Sequence, residues 1–216
     1  FNIDTLLDNL STILNVKTND KRLEFIFNVG DKVPRSIVGD YVRLNQVLIN
    51  LCSNAVKFTN SGSVIVRIML EELLNEKVAL KVTITDTGIG LTEEQSKGLF
   101  NAFTQADAST TRRFGGTGLG LVISQHLVDH MHGEIGVTSQ AGAGSQFWFT
   151  GKFDLCDAYM ENWNDAPWFE KQAYVFSQWD TSGQILKNQL NNLGFKVKSF
   201  SSIQQMLETQ QTTPSE

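Results

Sequence analysis

The chain has two cysteines, three prolines and three histidines, and no apolar run near the ~20 residues of a bilayer span. Cys52 and Cys156 stand far apart and outside any metal-ligand spacing, which argues against a disulfide framework or a zinc site and fits a reduced, cytosolic setting. Basic charge is also short. Eighteen Lys and Arg face 23 Asp and Glu, a net charge of −5, so the basic footprint of a nucleic-acid binder is missing. Any polyanion bound here must be held locally, by glycines and a few cations. No signal-peptide pattern opens the chain, which begins in helical character with FNIDTLLDNLSTIL, as expected of a piece of a longer protein. With 41% hydrophobic residues among 216, the chain can bury the core of one good-sized domain, with part of another to follow.

What is present is a mixture of helix and strand periods. Ile3, Leu6, Leu7, Leu10, Ile13 and Leu14 recur at helical spacing, and in RLEFIFNVG the alternation of Leu23, Phe25, Phe27 and Val29 predicts a strand. GDYVRLNQVLINLCSNAVKFT predicts a helix capped by Asp40, with Leu44, Val47, Leu48, Leu51, Ala55 and Phe58 on its apolar face. SVIVRIML and KVALKVTITD predict two strands with EELLNE as the loop between them. Little regular period marks the stretch between Gly90 and Gly115. A helix ending near HMHG and a hairpin over EIGVTSQAGAGSQFWFTGKF follow. The sum predicts an α/β chain folded as a two-layer sandwich, helices on one face of a mixed sheet. Composition shifts near Cys156, where 156–170 reads as an acidic, aromatic linker. Residues 171–216 then run strand, helix, strand, helix.

Three features carry chemistry. Asn50, Asn54 and Lys57 fall within about 60° of one another on the Asp40-capped helix. Asparagine is a poor mid-helix choice for a merely solvated face, whereas amide oxygens ligate a hard cation and lysine pairs with phosphate. Asp86 shares strand parity with Val78, Leu80, Val82 and Ile84, so a carboxylate points to the apolar side. It needs a donor there, either the turn of DTGIG or the exocyclic amino group of a flat heterocycle lying along Gly88 and Gly90. Finally, GGTGLG places four glycines in six residues, Gly115 to Gly120, directly before an amphipathic helix. Such a loop frees backbone N–H groups at the positive end of a helix.

In this order the motifs resemble those of the ATP-binding catalytic domain of bacterial hybrid sensor histidine kinases, within the wider Bergerat-fold ATPases. The resemblance runs from about Phe1 to Phe153. LNQVLINLCSNAVKFT is similar to the family's N box, DTGIG to its G1 box, LFNAFTQAD to its F box and GGTGLGL to its G2 box. It implies Mg2+–ATP as ligand, with Asn54 and Asn50 at the metal, Lys57 at the phosphates, and Asp86 at the adenine amino group beside Gly88 and Gly90. Gly116, Thr117, Gly118, Leu119 and Gly120 would meet the phosphates. An ATP lid would run from about Leu91 to Phe114, carrying Phe100 and Phe103, with Arg112 or Arg113 for the γ-phosphate. Hydrolytic relatives of this fold place a glutamate base where Asn50 stands. An amide cannot take that proton, so the resemblance implies transfer to a histidine rather than to water.

The phosphoacceptor histidine itself is missing, since His126, His130 and His132 lie in no context resembling the family's His-Glu motif. The resemblance therefore implies a partner dimerisation domain bearing that histidine, a downstream receiver or response regulator, no nucleic acid, and a monomeric fragment. It implies the cytoplasmic part of a membrane-bound sensor. The tail resembles the start of a flavodoxin-like receiver, yet Ser177 and Gln178 stand where receivers carry an acidic pair, and Asp180 is displaced. Two alternatives stand beside this reading: a hydrolytic ATPase, and an interaction module that has lost nucleotide binding.

Overall fold

The computed structural model describes residues 1–74, 76–100, 119–156, 166–177 and 179–212. It divides into two compact units, Phe1–Tyr159 and Met160–Glu216. In the first, α1 (Ile3–Asp20) leads to β1 (Glu24–Val29), β2 (Ile37–Val38), α2 (Tyr41–Phe58), β3 (Ser63–Leu74) and β4 (Lys77–Asp86). After these come α3 (Glu93–Gly98), α4 (Gly120–His130), β5 (Ile135–Gln140) and β6 (Gly144–Leu155). The six strands form one mixed sheet in the order β1-β3-β4-β6-β2, with β5 also paired to β6. β1 and β3 are parallel because the chain crosses over through α2 between them; the other pairs are antiparallel. This is the two-layer sandwich that the sequence predicts.

The helices close one face of the sheet. Ile3, Leu6, Leu10 and Leu14 of α1 and Val47, Leu48, Leu51 and Cys52 of α2 are almost wholly enclosed. They meet Val64, Val66, Ile68, Val78, Leu80, Val82 and Ile84 of the sheet in one core. Each such side chain contributes about 1.5–3 kcal/mol through the apolar surface it removes from water. α2 packs against α1 on one side and α4 on the other, with β3 and β4 beneath it.

Four details depart from the sequence reading. EELLNE is not a loop: β3 continues through Leu74, and a bulge between Leu70 and Glu72 lets Glu72 pair with Ala79 and Leu73 with Val78. Ile13 is half exposed, because the buried stripe of α1 runs Leu7, Leu10, Leu14 and Thr18. Val56 rather than Phe58 completes the buried face of α2. In β1 it is Ile26 and Val29 that are buried, while Phe25 and Phe27 are half-buried and pack edge to face, 5.1 Å between ring centres. At a sheet edge, rings of that size reach past the rim of the core.

The second unit has β7 (Gln172–Phe176), α5 (Asp180–Asn192), β8 (Lys196–Phe200) and α6 (Ile203–Thr212), with β7 and β8 parallel. Among its described residues only Val175 and Ile185 are buried hydrophobics, whereas Phe176, Trp179, Leu186 and Ile203 are exposed. No helix among the described residues is long and apolar enough to cross a membrane.

Candidate functional site

α2 owes its place to both ends. Asp40 caps it, its carboxylate accepting from the Arg43 N–H at 3.0 Å. At the other end the Lys21 ammonium donates to the carbonyls of Val56, Lys57 and Thr59 at 2.8, 2.9 and 2.9 Å, gathering C-terminal acceptors that have no helical partner. Asn50, Asn54 and Lys57 therefore sit on a rigid rod, all three half-buried. The Asn50 carboxamide donates from Nδ2 to Ser124 Oγ of α4 at 2.8 Å. A Cβ on Gly120 would fall 2.5 Å from Asn50 Oδ1, so the first turn of α4 lies flat against this side chain. The Lys57 ammonium lies 4.9 Å from the centre of the Phe58 ring.

Asp86 ends β4 with its side chain inward. Every second residue from Val78 to Asp86 is buried, and Asp86 is 5% exposed. Its Oδ1 accepts from the Gly88 N–H at 2.8 Å. Burial pushes its carboxyl above the usual carboxylate range, and the N–H groups of Gly88 and Ser145 pull it part of the way back.

The segment after Asp86 is fixed on two sides. Ile89 N–H donates to the Phe58 carbonyl at 3.3 Å, and Thr87 Oγ1 accepts from the Ser63 N–H at 3.0 Å. Across from these, Gly142 N–H donates to the Ile89 carbonyl at 2.7 Å and Leu91 N–H to Ser139 Oγ at 2.9 Å, clamping the segment to the β5–β6 turn. α3 follows behind a capping box made by Thr92 and Gln95. At α4, Leu119 occupies the N-cap position and provides no side-chain acceptor for the first-turn amides.

The structure thus brings Asn50, Gly120, Phe58, Gly88 and Asp86 into one connected set, with Asn54, Lys57 and Leu119 on the same elements. Arg112, Arg113, Gly116, Thr117, Gly118 and Phe103 lie outside the described residues, and so does most of the expected lid. Sequence reasoning missed Ser124, Ser139 and Thr87. Ser124 offered a signal: a small polar residue one turn after Gly120 inside the apolar run LVISQHLV.

The first unit is thus a two-layer α/β sandwich, a six-stranded mixed sheet with helices on one face and a buried carboxylate at a strand end beside a polar helix face. Residues 39–155, more than half of the chain, match the family described as histidine kinase-, DNA gyrase B- and HSP90-like ATPases (HATPase_c), and the chain belongs to it. It is 42% identical over 204 residues to the sensor histidine kinase GacS of Pseudomonas protegens (strain DSM 19095 / LMG 27888 / CFBP 6595 / CHA0), covering 94% of this chain and 22% of that protein. To the signal transduction histidine-protein kinase BarA of Escherichia coli (strain K12) it is 46% identical over 155 residues, 72% of this chain and 17% of BarA. Among solved structures, full-length ShkA in complex with AMPPNP superposes with a TM-score of 0.76 at 27% identity, covering 96% of this chain and 42% of ShkA. The chain spans about a fifth of the length of these curated relatives.

Proposed function

We propose that this chain is the catalytic, ATP-binding part of a sensor histidine kinase, which holds Mg2+–ATP and delivers the γ-phosphoryl group to a histidine on a separate dimerisation domain. The observation that carries the reading is Asp86: a nearly buried carboxylate at the end of β4, held by the Gly88 N–H and directed to the apolar side of the sheet. It suits the exocyclic amino group of adenine. From the carbonyl of Phe58 beside Gly88 to Asn50 beside Gly120, α2 spans about 12 Å at 1.5 Å per residue, the length scale of a nucleoside triphosphate from base to phosphates.

The roles then follow along α2. Asn54 and Asn50 offer neutral amide oxygens, a donor set that fits Mg2+, and the Gly120 cradle leaves the Asn50 carboxamide uncovered by any Cβ. When bound, the metal neutralises charge on the phosphate oxygens. Lys57 adds a cation on the same face, and the uncapped first-turn amides of α4, from Leu119 and Gly120 onward, complement phosphate charge. Gly116, Thr117 and Gly118 would extend that cradle, and Arg112 would meet the γ-phosphate. Because the Asn50 amide accepts no proton, these residues position the nucleotide without activating water, and transfer rests on alignment and charge stabilisation.

The catalytic domain covers 1–155, 156–170 is a linker, and 171–216 begins a receiver-like domain. That last domain is degenerate: Ser177 stands at the acidic-pair position and its Oγ is engaged by Trp179 N–H at 3.1 Å and Ser182 Oγ at 3.0 Å. The partners are a histidine-bearing dimerisation domain and a downstream receiver or response regulator, and the setting is cytoplasmic.

Isothermal titration of a non-hydrolysable ATP analogue with Mg2+ into the chain tests the site. Micromolar binding, abolished by Asp86→Asn, is expected. Adding a histidine-bearing dimerisation domain with ATP should then give a phosphohistidine. A folded parent that binds no nucleotide, or steady ATP turnover by the isolated chain, refutes the proposal.

A further inference from the structure

Ser124 is buried, 1% exposed, on the first turns of a helix whose other buried residue is Val128. A hydroxyl in such a place requires a partner, and it has one: the Asn50 Nδ2 at 2.8 Å, 74 residues away in sequence. One helical turn earlier, the missing Cβ of Gly120 leaves the space that the same carboxamide fills, with Oδ1, Cγ and Nδ2 at 2.5, 3.1 and 3.2 Å from where that Cβ would be. Residues i and i+4 share a helix face. Two positions of α4, one chosen for its hydroxyl and one for the absence of a side chain, are therefore built around one amide of α2.

An asparagine carboxamide has two nearly isosteric branches, and only the oxygen ligates a cation. With Nδ2 donating to Ser124 Oγ, the other branch, Oδ1, lies over the bare backbone of Gly120, so both branches are placed by α4. We propose that Ser124 is a positioning residue that fixes the Asn50 amide with its oxygen over Gly120, at the N-terminal turn of α4 where phosphate and metal would bind, and that with Gly120 it sets the register of α4 against α2. This rests on the nucleotide reading above. Ser124 touches neither nucleotide nor metal; it acts through Asn50.

The test has two arms. Without nucleotide, the Asn50 side-chain NH2 pair in the 15N spectrum of the chain should be distinct and slow to exchange. Ser124→Ala should abolish that signature, and Ser124→Thr should retain it. With nucleotide, the Mg2+ concentration at the midpoint of ATP-analogue binding should rise about fivefold in Ser124→Ala, the scale of one hydrogen bond. It should return towards the parent value in Ser124→Thr. Gly120→Ala, which keeps the hydroxyl but pushes the carboxamide aside, should raise it as well. In an Asn50→Ala background Ser124→Ala should add nothing, because its only route of action is gone.

An unchanged Asn50 NH2 pair in Ser124→Ala overturns the proposal whatever the nucleotide does. So does an unchanged Mg2+ midpoint, or an equal shift in the Asn50→Ala background, which marks a general loosening of α4. If the folded parent binds no nucleotide although the NH2 pair responds, the nucleotide reading fails and takes the proposed role with it.

Discussion

Gly90 and Gly142 both adopt left-handed backbone, with φ of +65° and +80°, yet alanine at the two should behave very differently. Any L side chain in this region costs about 1–2 kcal/mol. At Gly142 that is the whole cost, because a Cβ there meets nothing within 4 Å and the N–H to Ile89 survives. At Gly90 a Cβ would fall 1.9 Å from the Gln140 carbonyl oxygen and 3.1 Å from that of Gly144, both backbone atoms that cannot swing aside. The segment must lift off the β5–β6 turn. It then loses the Leu91 bond to Ser139 and the Gly142 bond to Ile89, worth about 1 kcal/mol each. Gly90→Ala should therefore cost about 3–4 kcal/mol and Gly142→Ala about 1–2, from the same torsional and hydrogen-bond terms. Urea unfolding of the first unit measures both by linear extrapolation. Nucleotide titration should show affinity lost in Gly90→Ala and kept in Gly142→Ala. Two variants of equal stability and equal affinity would show that the clamp between the Asp86–Leu91 segment and the hairpin does not hold the site.

Lys21→Met should lower stability by about 1–3 kcal/mol, since two α2 carbonyls and that of its C-cap Thr59 lose a charged donor, and the melting temperature will show it; an unchanged melt refutes the capping role. Leu48→Ala, at a wholly buried α2 position, should cost about 2–5 kcal/mol in the same denaturation. Asp86 carries a pH signature. Its folded carboxyl titrates above the ordinary 3.8, so the folded state retains the proton longer, and stability falls as pH rises from 3.8 through the raised value. That cost is fully present at neutrality. Asp86→Asn should remove this part of the pH profile, and an identical acid-range slope in the variant would refute it.

The sequence made some of this legible because the periods involved are unambiguous. Five buried positions alternate along β4, and Asp86 falls in phase with the four apolar ones, so an inward carboxylate could be read without coordinates. The polar face of α2 was legible for the same reason at the helical period. β3 was harder. Glu71–Leu74 has helical and loop composition, and it becomes strand only because β4 offers a partner across the bulge, a tertiary effect that local propensity does not carry. The capping box of α3 stands in TEEQ, but one short turn leaves no apolar period to mark the helix. The Asn50–Ser124 bond joins residues on different helices, and nothing in either local pattern points to the other.

The glycines give the most instructive difference. In the sequence Gly88 and Gly90 read as a place where a flat ring lies against bare backbone. In the fold, the space a Cβ would take is already occupied by the chain itself: the Phe58 carbonyl at Gly88, the Gln140 carbonyl at Gly90, the Asn50 amide at Gly120 and the Asp86 carbonyl at Gly144. Three of these glycines bring backbone against backbone and Gly120 brings it against the Asn50 side chain, drawing the end of β4, the two helices and the β5–β6 turn together around Asp86 and Asn50. Glycine here is a means of rigidity. Interiors close-packed at this level transmit small displacements rather than absorb them. A methyl at any of these four positions should therefore disturb the site as a whole, through α2 or the hairpin, and a ligand that draws the elements together should in turn stabilise every one of these contacts.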